Sequence, residues 1–198
     1  MEKNTKMNIG VDIDDTLLDF VGTYARFHNE VYGTNLKRED FKTYSFNTAR
    51  GGTMKEAVNS VKEFYNTSFF KEMKPFPNAI EVIQKLKRDK DLFIITSRPL
   101  DLQKGTLEWI SKYFSNIFSD IIFASNHYIK ARNNGKTKAE VCCDLEISTL
   151  IDDSLIYARE CVEKGIDALL LDAPWNQNGE DKGITRVKNW KEIEGLLK

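Results

Sequence analysis

The sequence has no run of the ~20 consecutive apolar residues that cross a bilayer as a helix, so no membrane span is expected. Residues Met1 to Lys6 are polar and lack the apolar stretch of a secretory signal. Cysteine is scarce: Cys142 and Cys143 are adjacent, Cys161 stands apart, and no spacing resembles a zinc site. All three read as small buried helix residues in a reducing compartment, and a cytoplasmic protein is expected. Charge of one sign is also missing, with 29 basic against 30 acidic side chains. That balance argues against a polyanion-binding surface, so nucleic acid polymers are not expected partners. Internal repeats and low-complexity segments are absent, and no helix is apolar enough all round to demand a partner, which leaves the oligomeric state open. What remains is 41% hydrophobic and 30% charged, an ordinary globular mixture. At 198 residues it suffices for one α/β core with an insertion.

Five short apolar runs recur at 7–11, 92–95, 120–123, 148–151 and 168–171. They lack strict alternation, as strands covered on both faces do, and helical patterns separate them. The fold class is therefore α/β, a doubly wound parallel sheet. Asn78 is placed to cap a helix carrying Ala79, Val82, Ile83 and Leu86, and Asp101 to open one carrying Leu107, Ile110 and Phe114. A third begins near Ser154, with Leu155, Ala158 and Val162 inward and Gly165 as its stop.

Between the first two runs lie about eighty residues, far beyond an ordinary crossover. Phe20, Tyr24, Phe27 and Val31 form one helical stripe ending near Gly33, and Thr53 to Glu56 reads as a capping box ahead of Ala57, Val61 and Phe64. Pro75 and Pro77 then break the pattern. The expected organisation is a core domain of residues 1–19 and 75–198 and a helical cap of residues 20–74. The cap follows the first strand, on the side where α/β sheets bind ligands.

The strongest chemical signal is Asp12-Ile13-Asp14-Asp15-Thr16 at the end of the first strand. Carboxylates crowded there repel one another, and a divalent cation with hard oxygen ligands, such as magnesium, would offset the repulsion. Thr96 and Ser97 end the second strand, where hydroxyls and backbone N–H groups can hold phosphate oxygens. Asp152-Asp153 ends a fourth apolar run and adds acids to the same rim. For the basic partner two lysines compete. Lys138 lies in the first turn after the capping box Thr137 to Glu140, where a helix dipole disfavours a cation unless an anion is near. Lys136 is the rival, carried by the loop Asn133-Asn134-Gly135.

In this order the signals resemble the haloacid dehalogenase superfamily: Asp-x-Asp-x-Thr at Asp12, Asp14 and Thr16, a strand-end Thr96, Lys138, and the acidic pair Asp152-Asp153. The resemblance implies a Rossmann-like core with a small helical cap after the first strand. It further implies a magnesium-dependent phosphatase in which Asp12 attacks phosphorus to form an aspartyl phosphate. Asp14 would protonate the leaving oxygen and then deprotonate water. Thr96, Ser97 and Lys138 would hold the phosphoryl group. Magnesium would take Asp12, the Asp14 carbonyl and Asp153, with Asp152 a second-sphere or water-mediated partner.

Within that superfamily, residues 12–20 look most like the 5′(3′)-deoxyribonucleotidase group and its bacterial relatives, because Asp19-Phe20 follows the first motif. The resemblance implies a nucleoside monophosphate substrate, with the base stacked on Phe20 and Tyr24 one turn further on. Two positions depart from the mammalian pattern: Asp15 replaces glycine, and Arg98 follows Thr96-Ser97. Arg98 is expected either to bind a second anionic group or to pair with a cap acid. Trp175 reads as a loop anchor near the same rim. Competing readings are a phosphatase for another small ester such as a sugar phosphate, a non-catalytic nucleotide sensor, and a receiver domain. The long insertion fits a receiver badly.

Overall fold

The computed structural model describes residues 6–126, 135–179 and 182–198. Residues 1–5, and Asn133 and Asn134 of the loop preceding Lys136, lie outside the described residues. Along the chain run β1 (Met7–Val11), α1 (Phe20–Tyr32), α2 (Phe46–Arg50), α3 (Met54–Tyr65), α4 (Ser68–Lys71) and α5 (Ala79–Leu86). Then come β2 (Lys90–Thr96), α6 (Gln103–Phe114), β3 (Asp120–Phe123), α7 (Lys138–Asp144), β4 (Ile147–Asp152), α8 (Leu155–Glu163), β5 (Asp167–Leu171), β6 (Ile184–Val187) and α9 (Trp190–Leu196). Short 3-10 turns sit at Arg38–Asp40 and Leu100–Leu102.

The six strands form one parallel sheet in the order β3-β2-β1-β4-β5-β6, the doubly wound architecture that the apolar runs imply. β1 lies inside the sheet, and Ile9, Gly10 and Val11 are buried. A Cβ on Gly10 would meet Ile95 Cδ1 at 2.9 Å and Leu150 Cδ1 at 3.2 Å, so the two neighbouring strands close over it. β6 was not expected. Its sequence, Ile-Thr-Arg-Val, has no apolar run, and as an edge strand it exposes Thr185 and Arg186.

The two ends of segment 20–74 lie side by side. Leu18 forms a bridge with Pro75, and the Phe76 N–H donates to the Leu17 carbonyl at 2.7 Å. Within the segment, α1 ends at Gly33 in the left-handed region (φ 66°), and the Thr53–Glu56 capping box makes both of its hydrogen bonds. Aromatic rings fill its interior. Phe20–Phe64, Tyr24–Phe46 and Phe64–Phe70 lie 5.3, 4.8 and 5.5 Å apart between centroids, edge to face.

Several local expectations are corrected. Val31 is 55% exposed and Leu107 40% exposed, because both lie off the buried stripe of their helices. Asp101 sits in a 3-10 turn and α6 starts at Gln103. Asn78 precedes α5 in a left-handed conformation and makes no side-chain cap. Cys142 and Cys161 are buried, but Cys143, one helix position round, faces solvent. Ser154 and Gly165 flank α8 as expected. Among the described residues no helix is long and apolar enough to cross a membrane.

Candidate active site

Strand order reverses between β1 and β4, and a parallel sheet leaves its ligand crevice at the carboxyl ends flanking such a reversal. The chain places acids there. Asp12 follows β1 directly, and its N–H donates to the Ile151 carbonyl of β4 at 2.9 Å. Asp152 is the last residue of β4 and Thr96 the last of β2.

Lys138 enters from the first turn of α7, whose capping box at Thr137–Glu140 is formed. Its Nζ donates to Asp12 Oδ1 at 2.6 Å and to Asp152 Oδ2 at 2.7 Å, and the residue is 1% exposed. Lys136, the rival, is exposed and paired with Asp144 at 2.5 Å. Burial alone would lower the Lys138 ammonium, but Asp12 and Asp152 outweigh it and raise it well above the usual lysine range. Asp12 moves the other way from an ordinary carboxylate. Burial lifts it to about 7 against the pull of Lys138, with Asp152 and Asp14 adding to the rise. Asp153 is raised well above the carboxylate range by burial, then by Asp152, Asp15 and Asp12, and its Oδ2 accepts the Trp175 indole N–H at 2.6 Å.

Asp12, Asp152 and Asp153 each offer one carboxylate oxygen, and the three lie within 4.8 Å of one another. Three acids share one buried ammonium, which pairs with two of them, so a divalent cation would balance the cluster, and oxygen donors suit magnesium. Beside them the Ser154 hydroxyl is buried without a hydrogen-bond partner among the described residues, a polar atom suited to a metal-bound water. The donor set therefore fits a hard divalent metal.

Asp14 turns away from this cluster. Arg98 Nε and Nη2 reach its two oxygens at 2.9 and 2.6 Å, so Arg98 pairs with an acid of the first motif and not with a cap acid. Thr96 Oγ1 accepts the Arg98 N–H at 3.2 Å, and Ser97 Oγ donates to the Ser125 carbonyl at 3.2 Å. Asp15 has a left-handed backbone (φ 55°), a conformation that glycine adopts without strain. Its buried carboxylate accepts the Val21 N–H at the start of α1 and pairs with Arg38, which also pairs with Asp19. Burial raises Asp15 to about 7, with Arg38 opposing.

A cavity of about 600 Å³ opens over the rim, within the size range of small-ligand sites. Asp12, Thr96 and Lys138 line it from the strand ends and α7, and Phe20, Phe46 and Tyr65 from segment 20–74. Phe20 is only 7% exposed, its ring held by Phe46, Phe64, Tyr65 and Phe70. The expectation for Tyr24 is corrected. It is fully buried, does not line the cavity, and its hydroxyl meets Ser60 Oγ at 2.6 Å, because its turn of α1 faces the aromatic interior.

Three contributors were not foreseen. Arg38 stacks over Trp175 at 4.6 Å, the Tyr44 hydroxyl donates to the Asp153 carbonyl at 2.5 Å, and Asn176 Nδ2 donates to the same carbonyl at 2.8 Å. No local pattern marks Arg38 or Tyr44; only the fold brings them to the rim. Trp175 is both loop anchor and cavity wall.

A parallel sheet in this order, an acid–lysine centre at its carboxyl rim and a helical insertion after β1 define a phosphohydrolase of the haloacid dehalogenase class. The model of the family described as 5′ nucleotidase, deoxy (pyrimidine), cytosolic type C protein (NT5C) matches residues 6–198, and the chain belongs to that family. It is a phosphoric monoester hydrolase. A nucleotidase of Clostridium acetobutylicum is 26% identical over 192 residues, covering 97% of this chain and 94% of its own length. Among solved structures, a haloacid dehalogenase-like hydrolase of Streptococcus pneumoniae superposes with a TM-score of 0.70 at 15% identity, covering 98% of this chain and 99% of that one. A Bacillus subtilis protein described as a HAD-hydrolase bound to magnesium gives 0.63 at 19%, covering 97% and 98%. These two likenesses concern the fold.

Proposed function

We propose that this chain is a magnesium-dependent nucleotidase that hydrolyses nucleoside monophosphates, deoxynucleotides among them, through a phosphorylated Asp12. The observation that carries the reading is that one cavity is lined both by the paired Asp12 and Lys138 with Thr96 and by the aromatic rings of Phe20, Phe46 and Tyr65. A phosphate needs the first set and a nucleobase suits the second.

Bound at Asp12, the Asp14 carbonyl and Asp153, with Asp152 nearby, magnesium would neutralise phosphate charge and fix the phosphorus in line with Asp12. Asp12 supplies the carboxylate oxygen that bonds phosphorus as the leaving oxygen departs with a proton from Asp14. Water then bonds phosphorus, gives its proton to Asp14, and the Asp12–phosphorus bond breaks. Lys138 and the groups at Thr96 and Ser97 hold the negative charge of the transferring phosphoryl group. Residues 20–74 act as the cap of the core formed by 1–19 and 75–198, excluding bulk water from the cavity. Phe20 would meet the base beside Phe46 and Tyr65. A cytoplasmic location matches such a substrate.

Phosphate release from a panel of nucleoside monophosphates and sugar phosphates, with magnesium and with chelator, tests the reading. We expect magnesium-dependent release concentrated on nucleotides. Release confined to sugar phosphates contradicts the substrate, and undiminished release in excess chelator contradicts the metal.

A further inference from the structure

Asp14 differs from the other acids of the rim. Asp12, Asp15, Asp152 and Asp153 are buried, whereas the Asp14 side chain is 29% exposed. Among the described residues, both hydrogen bonds to its carboxylate come from Arg98. A short acidic side chain on a loop has two free torsions, and the Arg98 fork restrains them.

Arg98 is itself held from three sides. Its N–H donates to Thr96 Oγ1 at the end of β2, and its Nη1 donates to Thr106 Oγ1 of α6 at 3.2 Å. Its guanidinium lies 5.0 Å from the centre of the Phe70 ring of α4, and the residue is 4% exposed. A planar fork fixed in this way sets the plane of the carboxylate it grips, which a lysine ammonium, a point donor, does not. Each carboxylate oxygen gives one acceptor site to the fork and keeps another. Asp14 and Thr106 take one N–H each of Nε, Nη2 and Nη1, so most of the fork serves to hold Asp14 against α6.

The geometry points to Arg98 as a positioning residue that orients Asp14 for proton transfer. The inference rests on the reading of Asp14 as the acid and base of phosphoryl transfer. Arg98 touches neither phosphorus nor the leaving oxygen in that scheme. It acts in both halves: when the proton on Asp14 passes to the leaving oxygen as the phosphorus–oxygen bond breaks, and when Asp14 takes the proton of the attacking water.

Two esters separate this role from a structural one. A nucleoside monophosphate expels an alkoxide that needs a proton, whereas p-nitrophenyl phosphate expels a phenolate that leaves without one. Single-turnover rates of phosphoryl transfer to the enzyme isolate the step that differs. Arg98→Met should slow this step about 100-fold on the nucleotide, and on the aryl ester by less than about threefold, with nucleotide KM little changed. Arg98→Lys, which keeps the charge, should show the same selective loss and covers the case in which the methionine variant fails to fold. Added to Asp14→Asn, either substitution should cost nothing further on the nucleotide. Equal loss on both esters, a rise in KM at constant rate, or additive losses in the double variant would each overturn the assignment. Failure of the wild-type protein to hydrolyse either ester would instead overturn the proposed function.

Discussion

At the carboxyl rim of the sheet, Lys138 meets Asp12 and Asp152 at 2.6 and 2.7 Å in a buried centre. In segment 20–74 the fixed quantities are ring separations near 5–6 Å, and most contacts are apolar edges on apolar faces. The rim uses few groups, each with an oriented charge. The segment uses many interchangeable contacts and fails only by losing volume. The two regions are thus built of different physical materials. Arg98 joins them, with its fork on Asp14 and its face on Phe70.

If that contrast is right, the largest effect comes from the rim. Lys138→Met should lower kcat by about 10²–10³-fold, the usual loss for one preorganised electrostatic group. It also leaves Asp12 and Asp152 buried without their cation. In chelator the variant should therefore be less stable by about 3–5 kcal/mol in urea titration, with magnesium returning part of the loss. An unchanged kcat would move the phosphoryl-binding role away from Lys138.

Phe64→Ala tests the segment. Phe64 is fully buried among Phe20, Tyr24, Phe27 and Phe70, and its truncation should cost about 3–5 kcal/mol. Below the transition, kcat on p-nitrophenyl phosphate should remain within about threefold, because no atom of the rim is removed. Smaller again, Phe20→Ala should raise nucleotide KM by about tenfold, the scale of one lost apolar contact, and leave the aryl ester unaffected. Equal losses on both esters would mean that Phe20 supports the fold alone.

A titration probes the acids of the rim and its neighbourhood together. Burial raises Asp12 and Asp15 to about 7 in the folded state, from 3.8 as the ordinary value. Between those limits the folded protein binds more protons than the unfolded chain, so these groups lose stability as pH rises from about 4 to about 7. In chelator the unfolding free energy should accordingly rise on acidification from pH 7 to about 5.5, by on the order of 1 kcal/mol per unit per group. Asp15→Asn should flatten part of that slope.

Much of the fold was legible because a parallel sheet writes itself as apolar runs: β1 and β3 sit at the expected residues, and β2, β4 and β5 within two. β6 escaped because an edge strand with Thr185 and Arg186 outward has no such run. Helix termini were readable where a side chain made the cap, as at Thr53 and Thr137, and less so at Asp101, where a 3-10 turn intervenes. At the rim, Asp12, Thr96, Lys138, Asp152 and Asp153 could be named because each sits beside a strand end or a helix start. Helical spacing put Phe20 and Tyr24 on one stripe, but it could not tell the cavity side from the interior, and Tyr24 faces inward. Arg38 and Tyr44 were invisible, since their partners lie on the far side of a chain crossing that local sequence does not encode.

The central claim is a covalent bond to Asp12, and trapping it tests the account most directly. Rapid acid quench during turnover of a nucleotide labelled in its phosphate, followed by peptide mass spectrometry, should find one phosphoryl group on the peptide bearing Asp12. That peptide should lose it to hydroxylamine and remain unlabelled in Asp12→Asn. Steady phosphate release with no phosphoryl group on the chain at any quench time, or with the group on another residue, would contradict the account.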